Sequence, residues 1–474
     1  MGSFNAVITT GIYCLPSCTG RPNRNNVRTF ELAAAAEAAG FRACLRCRPY
    51  RTQPSISDQD ASPLLCRAVR LIVDGALDET TEDDLGARLG VSGRHLRRLF
   101  VGQLGLTPDQ LARSTRVHFA RRLLDDCDLS ISDITFAAGF GSVRQFNRAC
   151  RDIFRATPSE LRARRRNSDR LVAEAGIALR VPFRPPFDWQ AMLGWMRSGA
   201  IGGVEQVSAD GYRRTVIIEG DPGVLEISPG GTGYLVLRAH LPHWKGLIHI
   251  WQRVPRIFNL DADVQAANRQ LSTDPLIGPL VRDRPGVRPP GAWDLFEAGV
   301  DAIVGEHASR ADTAATMRRI ADRYGMPVPG LRTLGLTRTF PAPPDLVSAD
   351  LDALGLDRRR VIAIRRFAQA ATDHPAVADP TRGTGSADLA ESIRDLSTQS
   401  AQSLRLRLGE PDAFPSASPP LLRALSARTG QATSQSTTRL AEAWRPWRAH
   451  AATYLWFSDP DPGPGAEPPG QKDA

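Results

Sequence analysis

Four cysteines near the start of the chain, Cys14, Cys18, Cys44 and Cys47, stand as a C-x3-C and a C-x2-C pair joined by a short helical stretch. Each pair can set two thiolates on one ion. Zn²⁺ closes a tetrahedral S₄ site of this kind in segments too small to hold a core alone, so the metal is expected to be part of the fold. Disulfides are the competing reading. Against them, Cys66, Cys127 and Cys150 are scattered singly through apolar helical patterns, and an odd total suits a secreted framework poorly. The opening residues MGSFNAVITT carry neither a basic n-region nor a long apolar run, and no stretch reaches the apolar length of a membrane span. The expected compartment is the reducing cytoplasm, with no membrane partner.

A chain of 474 residues should divide into three or four domains. Its net charge of +9 invites a nucleic-acid reading, and the place of that charge sharpens it. Between Arg88 and Arg170 lie 17 Arg, no Lys and 8 acidic residues, an excess equal to that of the whole chain. A solvated basic face is the ordinary account of such a bias. Charge confined to one helical segment favours a DNA footprint.

That segment repeats with a period of fifty: Ser92 recurs as Ser142, Arg94 as Arg144, Arg98 as Arg148, Thr107 as Thr157, Pro108 as Pro158 and Leu111 as Leu161. Each unit reads as helix, tight turn, helix. In the first, Leu85 and Leu89 line one helix, Gly90-Val91-Ser92 forms the turn and N-cap, and Leu96, Leu99, Phe100 and Leu104 stripe the next. Arg94, Arg97 and Arg98 share the opposite face. In the second, Ile131, Ile134 and Ala138 precede the turn 139–142, Phe146, Cys150 and Ile153 form the buried stripe, and Arg144, Gln145, Arg148 and Arg151 face outward. Arg suits guanine and Gln suits adenine in bidentate contacts, while the remaining cations neutralise phosphates. Thr107-Pro108 and Thr157-Pro158 each supply an N-cap and N1 proline, and 108–126 reads as one long helix. Two recognition helices on such a spacer would enter successive major grooves roughly 34 Å apart.

Residues 11–48, GIYCLPSCTGRPNRNNVRTFELAAAAEAAGFRACLRCR, resemble the zinc domain of Ada-type methylation sensors, and 64–165 resemble the paired helix-turn-helix domain of AraC-type regulators. The order matches Ada-type activators over roughly the first third of the chain. The resemblance implies that Cys14 accepts a methyl group from a methylphosphotriester in damaged DNA, that Cys14, Cys18, Cys44 and Cys47 bind Zn²⁺, and that Arg21 and Arg46 lie near the phosphate backbone. It also implies double-stranded DNA, alkylated or promoter, as partner, with RNA polymerase as a further one. A zinc-bound thiolate stays deprotonated and nucleophilic at neutral pH, and three partner sulfurs retain the metal if the fourth is alkylated. Methylation removes one negative charge from a site facing phosphates, which tightens binding. The alternative is a structural zinc site that accepts no methyl.

Beyond Arg170 the pattern changes. Short alternating or β-branched runs at 177–183, 212–219 and 234–238, punctuated by PP, DPG and PGG turns, predict a small antiparallel sheet with helices packed on it. From about 261 the pattern is helical, broken by Pro-rich turns at 285–290 and 341–344, and the last residues, 459–474, read as a disordered tail. The stretches RPPFDWQAMLGWMRSGAIGGVEQV (184–207), LFEAGVDAIVGEHAS (295–309), LGEPDAFP (408–415) and AEAWRPWRAHAATYLWF (441–457) are similar to AlkA-type 3-methyladenine DNA glycosylases over 177–458.

Such an enzyme flips a nucleotide, holds the base against aromatic rings and stabilises a cationic sugar with a carboxylate. The family places that Asp six residues after the Asp of a DAFP-like motif; counting from Asp412 gives Ser418, which cannot supply a fixed charge. The hairpin region 386–408 contains no glycine and no aromatic, so it lacks easy φ > 0 positions and stacking rings. Glu306-His307 replaces the family's glutamine and apolar wedge, and the Glu is expected to turn a negative charge toward DNA phosphates. The expectation is a retired glycosylase kept as scaffold, dimerisation surface or ligand sensor. The opposing reading recruits Asp412, Glu410 or Glu306 as a substitute acid in an active repair enzyme, making the chain bifunctional.

The remaining features take ordinary readings. His240, His243 and His249 read as structural or surface histidines, Trp444, Trp447 and Trp456 as core, and RGTG at 382–385 as too short for a phosphate loop. The expected architecture is multidomain and mostly α: a small Zn(Cys)₄ domain (1–52), an all-α double helix-turn-helix domain (63–166), an α+β sheet subdomain (177–260), and a helical domain with a degenerate helix-hairpin-helix (261–458).

Overall fold

The computed structural model describes residues 4–20, 22–52, 62–78, 80–166, 169–171, 176–218, 220–373 and 396–458. Arg21, the RGTG run, the first half of the degenerate hairpin and the 459–474 tail lie outside them. The chain divides into two compact units, one built from Met1–Arg180 with Pro242–Gln252, the other mainly from Val181–Leu241 and the residues after Arg253.

In the first unit, strands β1 (Phe4–Val7), β2 (Ile12–Cys14), β3 (Val27–Phe30) and β4 (Arg42–Ala43) form a sheet in the order β3-β1-β2-β4. Helix α1 (Ala33–Ala38) lies between β3 and β4 in the chain. None of these strands was legible as a period-two pattern, because each is two to four residues long. The parallel pairing of β2 with β4 matters most: it sets Tyr13 opposite Ala43, so Cys14 and Cys44 leave the sheet side by side.

The helices that follow are α2 (Pro63–Val73), α3 (Glu82–Arg88), α4 (Gly93–Leu104), α5 (Pro108–Asp126), α6 (Ile131–Ala137), α7 (Val143–Phe154) and α8 (Pro158–Ala163). Their starts are set by local chemistry. Ser92 and Ser142 cap α4 and α7 by accepting the N–H three residues on, and Thr107 and Thr157 form capping boxes with Gln110 and Glu160, each followed by Pro at the first helical position. Apolar residues of α1, Ala34 and Ala35, share one core with Leu65, Val69, Leu85, Leu96 and Phe100. The cysteine-bearing segment is therefore packed into the helical one.

Strand β5 (Ile177–Pro182) crosses the division at Arg180, and α9 (Trp189–Ser198), β6 (Glu205–Val207), β7 (Tyr212–Ile218), β8 (Asp221–Gly231) and β9 (Tyr234–His240) follow in the second unit, the strands forming a sheet in the order β5-β9-β8-β7-β6. The DPG and PGG triplets, expected as turns, are instead the two ends of β8. Pro222 and Pro229 pair opposite Ile217 and Leu235, and the chain reverses one step outside them, where Gly220 and Gly233 take φ of +92° and +85°.

Helix α10 (Leu247–Ile257) is followed by α11 (Val264–Leu271), α12 (Gly278–Asp283), α13 (Leu295–Val304), α14 (Arg310–Tyr324), α15 (Pro343–Val347), α16 (Arg358–Asp373), α17 (Thr398–Arg407), α18 (Pro419–Thr429), α19 (Ser434–Ala441) and α20 (Arg448–Trp456). One core gathers Phe296, Val300, Ile320, Ile364 and Phe367, and another Leu271, Val281, Phe414, Leu421 and Trp444. Trp444 is core, as expected, and its indole N–H donates to Asp274 Oδ2 at 2.9 Å. Among the described residues no helix is long and apolar enough to cross a membrane.

Candidate metal centre and nucleic-acid interface

The β2–β4 pairing delivers Cys14 and Cys44, and two tight turns deliver their partners: Cys18 N–H donates to Leu15 O at 3.0 Å, and Arg48 N–H closes the second turn on Cys44 O at 3.0 Å. The four Sγ atoms lie within 4.8 Å of one another, and among the described residues this is the one His/Cys/Asp/Glu cluster able to hold a metal. Tetrahedral zinc with Zn–S of about 2.3 Å needs sulfurs about 3.8 Å apart, so the donor set fits Zn²⁺. Burial, then the hydrogen bond and charge of Cys44, push the Cys14 thiol well up, and burial and Cys44 take Cys47 up to about 12. Burial opposes ionisation of Cys44 too, but the N–H groups of Cys47 and Arg46 hold it low. Crowded sulfurs of this kind repel as thiolates unless a cation sits among them. Leu15 N–H pointing at Cys47 Sγ, 3.4 Å away, suits a thiolate ligand.

Behind the cysteines a polar clasp ties the segment to α5. Tyr13, next to Cys14, is fully buried and donates to Glu37 Oε1 at 2.6 Å; the same carboxylate meets His118 Nε2 at 2.6 Å and accepts from Ser114 Oγ at 2.6 Å. After Cys47, Arg48 forks onto Asp169 with two bonds of 2.7 Å. Tyr50 donates to Asp125 at 2.8 Å, and Arg51 reaches Asp125 and Asp126 at 3.2 and 2.9 Å. Asp125 also pairs with Arg121 at 2.6 Å. Sequence reasoning missed this network, and it qualifies the charge count: Arg121 and Arg122 belong to the arginine-rich segment but are 2% and 4% exposed.

The predicted DNA-facing residues lie on the surface. Arg46, between two ligands, is exposed and donates to Thr19 Oγ1 at 3.2 Å. Arg94, Arg97 and Arg98 of α4 are exposed, Arg97 meeting Glu82 at 3.3 Å and Arg98 meeting His95 at 3.2 Å. Arg144, Gln145 and Arg148 of α7 are likewise exposed. Gln145 Oε1 accepts the Gly141 N–H at 3.1 Å, which occupies one of its two lone pairs and leaves the amide N–H groups facing solvent.

In the second unit, Ser418 is the N-cap residue of α18, 9% exposed. Asp412 is clamped by Arg448 at 2.7 and 2.9 Å and by Arg445 at 2.5 Å, so its charge is already matched. Glu410 is exposed, 4.0 Å from Arg405. Glu306 does not turn outward as expected. Its side chain, 15% exposed, accepts Ser400 Oγ at 3.2 Å, because α17 starts beside it, while His307 is exposed at φ +61°. Helix α17 begins with an ordinary serine cap, Ser397 Oγ accepting Ser400 N–H at 3.1 Å, where a glycine turn would present N–H groups to phosphate.

A cavity of about 30 Å³, room for about two waters, is lined by Trp195, Tyr212 and Trp293. Guanidinium groups of Arg310 and Arg407 lie 3.7 and 4.6 Å from the Trp195 ring centroid. Of the histidines, His249 meets Asp78 at 3.2 Å and His240 is exposed.

Comparison with known proteins follows the same division. Residues 2–50 match the metal binding domain of Ada, 85–164 a helix-turn-helix domain, and 178–294 the AlkA N-terminal domain. Over 460 residues, 95% of this chain and 92% of the relative, the sequence is 35% identical to a Mycobacterium tuberculosis protein named "Probable bifunctional transcriptional activator/DNA repair enzyme AlkA". Escherichia coli DNA-3-methyladenine glycosylase 2 is 29% identical over 58% of this chain and 96% of its own. Escherichia coli Ada, a "bifunctional transcriptional activator/DNA repair enzyme", is 32% identical over 33% of this chain and 43% of its own. Among solved structures, a 3-methyladenine DNA glycosylase from Archaeoglobus fulgidus superposes with a TM-score of 0.51 at 17% identity, covering 59% of this chain and 97% of the other, which shows a shared fold.

Proposed function

Because the chain belongs to the family of bifunctional transcriptional activator/DNA repair proteins that join an Ada-like zinc domain and a helix-turn-helix domain to an AlkA-like domain, we propose that it is an alkylation-responsive regulator whose reactive centre is Cys14. Bound zinc would keep the four sulfurs ionised at neutral pH. The Cys14 sulfur takes the methyl of a DNA methylphosphotriester: a C–S bond forms, the C–O bond to the phosphate breaks, and the phosphodiester leaves with the electron pair. Cys18, Cys44 and Cys47 retain the metal. One negative charge is lost at a surface that also carries Arg46, and binding to DNA through α4 and α7 tightens. Transcription is then raised through RNA polymerase, in the cytoplasm where the DNA lies.

The observation that carries this reading is the convergence of the four Sγ atoms within 4.8 Å on a segment clasped to the spacer helix α5. After exposure of the zinc-loaded chain to methylated DNA, peptide mass spectrometry should find one methyl on Cys14 and promoter affinity should rise. No adduct, or one on another cysteine, sinks the assignment.

The second unit we read as a glycosylase fold without turnover. Ser418 offers no charge, Asp412 is matched by two arginines, and the small cavity has guanidinium groups on its Trp195 ring. The bifunctional alternative draws support from the family name, from the AlkA N-terminal domain match and from the 29% identity to a DNA-3-methyladenine glycosylase. Incubation with 3-methyladenine-containing DNA separates them: release of free base above the background of a heat-denatured sample establishes the alternative.

A further inference from the structure

Helix α7 presents to solvent, on its first turn, Val143, Arg144 and Gln145, and one turn later Arg148. Arginine suits the O6 and N7 acceptors of guanine. Positive recognition of an A·T pair needs something else, either paired donor and acceptor for adenine or an apolar surface for the C5-methyl of thymine. Gln145 could supply the first only while its carbonyl oxygen also accepts the Gly141 N–H at 3.1 Å. Asn147 is half-buried and gives its amide N–H to Val143 O at 2.9 Å. Val143 offers the second. Its side chain is 38% exposed at the first helical position, among residues that are otherwise polar. A single exposed valine is ordinary on a protein surface; one at the N-terminal turn of a helix that enters the major groove is placed against base edges.

The other repeat shows that this position is not interchangeable. Fifty residues earlier stands Gly93, where an added Cβ would meet Asp83 Oδ1 at 2.2 Å and Asp83 Cα at 3.0 Å. The close approach of α3 to α4 forbids a side chain there, so α4 reads with Arg94, Arg97 and Arg98 and no methyl contact.

We propose that Val143 is a specificity-determining residue that packs on the C5-methyl of one thymine in the half-site read by α7, and that the half-site read by α4 carries no equivalent requirement. The repeat is thus duplicated in fold but not in recognition. This rests on the DNA-reading role given to α4 and α7 above.

The test uses the full zinc-loaded chain. A duplex is selected from a random library, and each thymine is then replaced singly by deoxyuridine, which lacks the methyl and keeps every hydrogen-bonding group. One replacement, in one half-site, should weaken the wild-type chain about four-fold, the value of one buried methyl. Val143→Ala should bind the thymine and deoxyuridine duplexes equally, and Val143→Thr, which keeps one methyl, should retain about half of the discrimination on a logarithmic scale. Unchanged melting of both variants separates lost recognition from lost folding. If Val143→Ala keeps the full sensitivity, or no thymine is sensitive in a selected duplex, the proposal fails while the DNA-reading role stands. If the chain selects no sequence at all, both fail.

Discussion

Asp294 caps α13, its Oδ1 accepting the Glu297 N–H at 2.7 Å, and burial, then the Glu297 charge, push its carboxyl up to about 6. An unfolded Asp titrates near 3.9, so the folded chain holds this proton more tightly than the unfolded one. The contribution to stability is complete below about pH 4, declines as pH rises, and is gone above about 6. Asparagine caps as well as aspartate without the charge. Asp294→Asn is therefore expected to stabilise the second unit by about 1–2 kcal/mol at pH 7.5 and hardly at all at pH 4, in urea unfolding followed at both values. An equal effect at the two values contradicts a buried, proton-loving carboxyl. Gln145 teaches a related lesson at this scale. Its type suggests a base contact, and the fold adds a bond from the N–H of Gly141, four residues back, to the same oxygen.

Among elements, the most consequential are the short ones that join the cysteine segment to α5. Asp125 is fully buried and meets Tyr50, Arg51 and Arg121. Removing one member of such a group leaves buried charges unmatched, and Asp125→Ala is expected to cost about 3–5 kcal/mol in the first unit. Urea unfolding measures it, and zinc should also be lost to a chelator faster than from the wild type. A loss under 1 kcal/mol would mean water already reaches these groups. The helices here were legible from local signals alone: Ser92, Thr107, Ser142 and Thr157 announce their starts, and the period of fifty announces the duplication. The cysteine spacing announced the S₄ cluster. The clasp was not legible, since Glu37 and His118 stand 81 positions apart and neither breaks any local pattern. The DPG and PGG triplets misled because proline and glycine mark strand ends as readily as turns where pairing tolerates them.

At the scale of the whole molecule, the two units carry opposite consequences of their residues. The second has closed cores, with Phe296 stacked on Phe367 and Trp444 fully enclosed, while Ser418 stands at a helix N-cap and Asp412 lies in ion pairs. On the reading of a fold without turnover, one added carboxylate should not supply it. Ser418→Asp is expected to release no 3-methyladenine above background, because Ser397 still caps α17 in place of a glycine turn and Arg445 and Arg448 still hold Asp412. Measurable release by that single variant would show that only the carboxylate was missing. In the first unit the cysteine segment is held to α5 by Glu37, Tyr50 and Arg51, to Asp169 by Arg48, and to the helices by a shared apolar core, not merely by the peptide that runs from Thr52 to Ser62. Covalent continuity across that stretch is expected to be redundant: two polypeptides divided there should co-elute in gel filtration, and separate elution would contradict it.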